Sequence, residues 1–420
     1  MNHIALLIHR WAGLLMAGFL ILSGLTGAVI SWDHELDELL NPHLTHASSR
    51  GPSLSLFDLA DAIEARDPRA RVTFIPLAVE AGDALAFGVD PRVDPATGRL
   101  YELGYNQVFI DPATGGELGR REWGAVWPVT KETFVSFLYK LHYSLHIPEM
   151  WGIDEWGLWV MGGIAILWAL DCFVGFYLTL PSKIPPSHAQ SHPGWWVRWK
   201  PSWVVKLSGT SRRINFDFHR AFGLWAWVLL FMLAFTAFSL NLYRELFYPL
   251  MSLVTQVTPT PFDLREPSGK HHPIAPAVGF AEILERARQE QAAQGRQEPE
   301  GDLSYSQEFG IYTVRFFKPG DDHGAAGVGP PALYFDGSDG RYLGDRQPWK
   351  GTAGDLFVQA QFPMHSGRIL GLPGRILVSM LGVGTAALSI TGVVIWWRKQ
   401  AAYARRAQRH LVKSDAVTAG

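Results

Sequence analysis

The chain has 420 residues, 37 Lys+Arg against 39 Asp+Glu, 15 His and a single Cys. Charged residues are only 18% of the chain, against about a quarter in soluble domains. The lone Cys172 excludes a disulfide framework, a Cys-built zinc site, an iron–sulfur cluster and C-x-x-C-H haem attachment, and near-neutral charge gives no reason to expect nucleic acid.

Four stretches reach the ~20 apolar residues that a bilayer crossing requires: Trp11 to Trp32, Gly157 to Leu180, Ala221 to Tyr243 and Ile376 to Trp397. Only the second carries a charge, Asp171, and none shows the polar face of a soluble helix. The first is read as a retained span, because no small-x-small cleavage site precedes the acidic run Asp33, Glu35, Asp37, Glu38. Between spans one and two, an amphipathic helix over Leu54–Arg66 is followed by strands around Arg71–Pro76, Ala84–Val89 and Asn106–Ile110, with a turn at Asp111–Gly115. Between spans three and four the plan recurs. A helix covers Val278–Gln291, strands lie near Tyr312–Phe317 and Ala332–Phe335, and the turn is Asp336–Gly340. The polar stretch Gln289–Asp302 is expected to be a mobile loop.

Lys and Arg set the orientation. The segment 181–218 holds six of them against Asp217, and the tail from Arg398 holds six against Asp415. Residues 33–155 carry 20 acids to 10 bases, and 242–372 carry 16 to 12. Both termini and the 181–218 loop are therefore expected in the cytoplasm, with the two large segments in a bacterial periplasm. The expected fold is an α-helical membrane protein, a four-helix bundle of two repeated hairpins with two periplasmic α+β domains. Its boundaries are 1–32, 156–181, 219–244 and 373–398 for the spans, and 33–155 and 245–372 for the domains. The cytoplasmic loop is 182–218 and the tail 399–420.

The halves repeat. His9-Arg10-Trp11-Ala12-Gly13-Leu14 opens span one and His219-Arg220-Ala221-Phe222-Gly223-Leu224 opens span three. Gly157 and Gly175 are spaced like Gly374 and Gly392. His9 and His219 thus sit at equivalent cytoplasmic ends, while His142, His146 and His365 precede spans two and four. One His is an ordinary interfacial residue; matched pairs from both halves suit a low-spin b-type haem, whose iron takes an imidazole on each side. Arg10 and Arg220 would pair haem propionates or anchor the cytoplasmic side. Gly13, Gly18, Gly24, Gly27, Gly162, Gly163, Gly382 and Gly384 would admit a flat macrocycle or serve helix packing. Spacing from the aligned glycines favours His146 as the partner of His365, whereas the local match Leu141-His142-Tyr143-Ser144 favours His142, which is preferred. Two His per face without a matched acid disfavour zinc. Asp171 is either a proton relay, a group orienting a buried partner, or a packing residue. His271-His272 sits in a Pro-rich, solvated loop, and no G-x-G-x-x-G or Walker motif marks a flavin, nicotinamide or nucleotide site.

These marks, with Tyr177-Leu178-Thr179-Leu180-Pro181 and Pro363-Met364-His365-Ser366-Gly367, resemble the PepSY-associated transmembrane (PepSY_TM) proteins along nearly the whole chain. Some members are inner-membrane di-haem reductases of ferric siderophores. The resemblance implies one bis-His haem from His9 and His219 and a second from His142 and His365. It further implies reduction of Fe(III) to Fe(II) at the periplasmic face, with a ferric siderophore, membrane lipid and an electron donor such as a quinol or a separate reductase as partners. Trp123, Trp127, Trp151 and Trp156 would line the docking mouth or belong to an aromatic belt. The alternatives are a non-enzymatic PepSY module that tethers or regulates a partner, and an iron-chelate permease.

Overall fold

The computed structural model describes the backbone of residues 2–182 and 193–418, with side chains to residue 405. Lys183 and the side chains of Arg406, Arg409, Lys413 and Asp415, which enter the charge bias, lie outside the described residues. In chain order, α1 (Asn2–Ile30), α2 (Asp33–Leu40), α3 (Pro42–Thr45) and α4 (Leu56–Arg66) lead into β1 (Ala70–Pro76), β2 (Leu85–Pro91), β3 (Gln107–Ile110) and β4 (Glu117–Arg121). Next come α5 (Lys131–Ser144), α6 (Trp156–Thr179), α7 (Trp195–Trp199), α8 (Ser211–Trp225), α9 (Trp227–Asn241), α10 (Tyr248–Val254) and α11 (Phe280–Ala293). The second strand set is β5 (Glu300–Ser306), β6 (Ile311–Phe316), β7 (Ala332–Asp336) and β8 (Tyr342–Arg346), before α12 (Ala353–Gln359), α13 (Gln361–Ser366) and α14 (Gly371–Thr418). The chain divides into a helical unit of Met1–Ser31, Leu141–Tyr243 and Arg375–Gly420, and a sheet unit of Trp32–Lys140 and Arg244–Gly374.

Among the described residues, three helices are long and apolar enough to span a membrane: His3–Ile30, Trp156–Thr179 and Arg368–Arg405. The third expected span is not one straight helix. It breaks at Ala226 into α8 and α9, which meet at 69°. The break lies between two tryptophans with different anchors. The Trp225 indole donates to Trp203 O at 3.2 Å and the Trp227 indole to Cys172 O at 2.8 Å. Alone, α9 is about 22 Å long at 1.5 Å per residue, short of a ~30 Å hydrocarbon core. Among the described residues there are thus three candidate spans, and a fourth if the bent pair crosses as one. Glycines set two of the helix contacts. A Cβ at Gly24 would lie 2.5 Å from Gly382 O, and one at Gly382 would lie 2.4 Å from Gly24 O, so α1 and α14 touch backbone to backbone. Leu230 and Leu233 of α9 pack with Val378 and Leu381 of α14, and Cys172 lines that cluster as an apolar filler.

The strands of the two expected α+β domains are joined in the sheet unit. All eight strands form one antiparallel sheet in the order β4-β3-β2-β1-β5-β6-β7-β8. The halves join through Phe74↔Ser304, Ile75↔Leu303 and Pro76↔Asp302. Leu59 and Ile63 of α4 cover the first half, and Ile283, Leu284 and Ala287 of α11 the second. Phe57, Leu77 and Phe280 pack on both clusters, so the core is continuous. Joining edge to edge removes two exposed strand edges. The polar stretch expected as a mobile loop runs instead into β5, where Asp302 is buried and paired with Arg315. The two expected turns are equivalent. Asp111 Oδ1 accepts the Ala113 and Thr114 amides at 3.0 and 3.2 Å, and Asp336 Oδ1 accepts the Ser338 amide at 2.9 Å.

Candidate cofactor site in the helical unit

His9 on α1 and His219 on α8 come from opposite halves of the repeat, and the fold brings them together. Their ring centroids are 6.1 Å apart, tilted by 58°. Each ring is held from behind through Nδ1. His9 Nδ1–H donates to both oxygens of Asp171 on α6, at 3.0 and 2.9 Å. His219 Nδ1–H donates to Leu388 O on α14 at 3.1 Å, beside Thr391 Oγ1 at 3.0 Å. Asp171 lies four residues before Gly175, and Leu388 lies four before Gly392, so the two acceptors occupy equivalent positions. A carboxylate and a carbonyl only accept, which puts a proton on Nδ1 in both rings, so that in the neutral imidazole Nε2 carries the lone pair.

Paired glycines make room for this arrangement. A Cβ at Gly175 would meet His9 Cε1 at 3.4 Å, and one at Gly392 would meet His219 Cε1 at 3.2 Å. Gly13 and Gly223, one turn beyond each histidine, have nothing within 4 Å of a would-be Cβ. Two imidazoles bound to one metal from opposite sides, with bonds of about 2 Å, place their centroids about 6 Å apart. The spacing, the tautomers and the cleared space all fit a bis-imidazole iron porphyrin. Zinc fits poorly, because among the described residues no third His, Cys or acid joins this pair in a ligating group.

The other sequence candidates are placed as follows. His142 lies in the last turn of α5 and turns toward α1. Its Nδ1 is 3.1 Å from Thr26 Oγ1, and a Cβ at Gly27 would lie 2.8 Å from its Cε1. The Thr26 hydroxyl donates its own proton to Leu22 O at 2.8 Å, so it accepts from His142 and again leaves Nε2 as the lone-pair nitrogen. His146 lies beyond the end of α5 with φ +52°, so it does not share a helical face with His142. His365 is half-buried on α13, in the sheet unit. Arg220 donates to Asp217 of its own helix at 3.1 Å and to Pro201 O, before that helix, at 2.5 Å. Asp217, fully buried, also takes Arg213 at 2.8 Å. Arg10, next to His9 in α1, is half-buried. Gly24 and Gly382 serve helix packing, and Gly162 and Gly384 admit Leu242 and Phe222. Trp151 and Trp156 stack edge to face at 5.7 Å, Trp123 packs on Tyr139, and Trp127 is exposed. His271 and His272 are exposed.

Sequence reasoning missed the partners behind the rings: Thr26, the Leu388 carbonyl, Thr391 and the glycines facing His9 and His219. The spacing of Gly175 and Gly392 was visible, but a helical glycine carries no sign of what packs on it.

Three or four candidate membrane helices among the described residues and an eight-stranded antiparallel sheet define a polytopic membrane protein built on an internal duplication. The family model of the PepSY-associated TM region matches residues 6–399, and the chain belongs to this family. No curated protein matches the chain significantly.

Proposed function

We propose that the chain is an inner-membrane electron-transfer protein that binds b-type haem and reduces a ferric siderophore at the periplasmic face. The observation that carries this reading is the His9–His219 pair, with both Nδ1 protons committed behind the rings and 6.1 Å between centroids. A haem held by His9 and His219 would supply one-electron transfer rather than oxygen binding. Asp171 and the Leu388 carbonyl hold the rings and fix their tautomers. Gly13 and Gly223 keep the flanks open, and Arg10 is the cation available for a propionate. On the family pattern, His142 and His365 are proposed for a second haem, with His146 the weaker alternative to His142. One electron per Fe(III) comes from a quinol or a separate reductase. Fe(II) then prefers softer ligands than the oxygen-rich siderophore and is released.

The test is a pyridine haemochrome assay on purified protein. Two haems per chain are expected. His9→Ala or His219→Ala should remove one and leave the other spectrally intact, and His142→Ala, but not His146→Ala, should remove the other. Gly13→Leu, which touches no ligand, should also lower the first. Colourless protein from haem-replete cells would end the reading in favour of a tethering module.

A further inference from the structure

A second cluster of ligating side chains lies in the sheet unit, outside every residue assigned above. His34 stands in the first turn of α2, and Asp322 and His323 stand in the loop between β6 and β7. One ligand atom from each of the three falls within 4.8 Å of the others. The two imidazoles meet edge to face at 4.8 Å. Asp322 serves both, with Oδ2 3.6 Å from His34 Nε2 and Oδ1 2.7 Å from His323 Nδ1.

Both sides are held in place. His34 Nδ1 faces Asp33 Oδ1 at 3.3 Å, which aims Nε2 into the cluster, and Asp33 is itself 3.5 Å from the Arg368 guanidinium. A carboxylate behind the non-ligating nitrogen is the usual support of a metal-bound histidine. α2 is fastened to β4 by the Asp37–Arg121 pair, two bonds of 2.7 Å. The loop is fastened by the Gly329 amide on His323 O at 2.9 Å, Trp349 Nε1 on Ala325 O at 2.9 Å and Arg346 on Val328 O at 2.5 Å.

We propose that His34, His323 and Asp322 form a binding site for a divalent first-row transition-metal ion. Bonds of about 2 Å put ligand atoms about 3–4 Å apart, so side-chain rotations of about 1 Å close the triad. Two imidazoles and one carboxylate with open positions suit Fe(II), Co(II), Ni(II) or Zn(II) over Mg(II) or Ca(II). Fe(II), the product of the reduction proposed above, is in that class. The site's ability to hold an ion does not rest on that reading.

Untagged full-length protein in detergent is titrated calorimetrically with Zn(II), and haem per chain is measured on the same samples. One Zn(II) per chain is expected, with Mg(II) giving no saturable heat. His34→Ala/His323→Ala and Asp322→Asn should each weaken Zn(II) binding by more than about tenfold, with haem content unchanged. His271→Ala/His272→Ala and His9→Ala should bind as the wild type does. If thermal unfolding shows the double variant misfolded, Asp322→Asn carries the comparison. The proposal is overturned by no saturable binding, by binding that survives both sets of substitutions, or by binding lost in His9→Ala. Colourless wild-type protein that still takes one Zn(II) would sink the haem reading and leave this one standing.

Discussion

The two inner histidines differ in what stands behind them. His9 leans on a carboxylate and His219 on a neutral carbonyl, at equivalent positions of the two halves. In the proposed haem site, the carboxylate behind Nδ1 would make His9 the more electron-rich ligand and would favour ferric over ferrous iron. In that site Asp171 is proposed as a positioning and tuning residue, since it holds His9 Nδ1 at 2.9 Å. Asp171→Asn keeps an acceptor for His9 but removes the charge. The expected result is a haem that still binds, about 10–100-fold more weakly, with a midpoint potential above that of the wild type in a spectroelectrochemical titration. An unchanged potential would mean that the Asp171 charge does not reach the iron.

At the scale of elements, the joined sheet decides stability. β1 and β5 meet through three residue pairs, and Ile75 and Leu303 at that seam are fully buried. The Phe57, Leu77 and Phe280 side chains then pack across both halves. Leu303→Ala deletes buried methyls from a shared core, which costs about 2–5 kcal/mol. Calorimetry should show the sheet unit still melting in a single transition, at lower temperature. Two separate transitions would mean that the halves fold independently. The seam also explains why two domains were expected where one sheet exists. Pairing between distant strands is backbone hydrogen bonding, and it leaves no mark in the side-chain pattern of either strand. β4 (Glu117–Arg121) and β8 (Tyr342–Arg346) were missed for a related reason. They are polar edge strands, and they lack the apolar alternation that reveals a half-buried one.

For the whole molecule, the duplication organises both units: helices around a His pair in one, strands around a central seam in the other. The Lys/Arg bias gives this plan a direction. Alkaline phosphatase fused after Lys399 is expected to be inactive in cells, and a fusion inserted in the exposed loop at Gly98 is expected to be active. The reverse pattern would invert the proposed topology and move the sheet unit, with the site at His34, to the cytoplasm.

Apolar runs and the repeated His-Arg-x-x-Gly-Leu opening were enough to indicate membrane class, family and the meeting of His9 with His219. Each is a property of composition or spacing along a single segment. Three features were decided only by the folded chain: the 69° break at Ala226, the fusion of two strand sets into one sheet, and the meeting of His34 with Asp322 and His323. All three depend on groups far apart in sequence competing for the same hydrogen bonds or the same space, and that competition is settled in three dimensions.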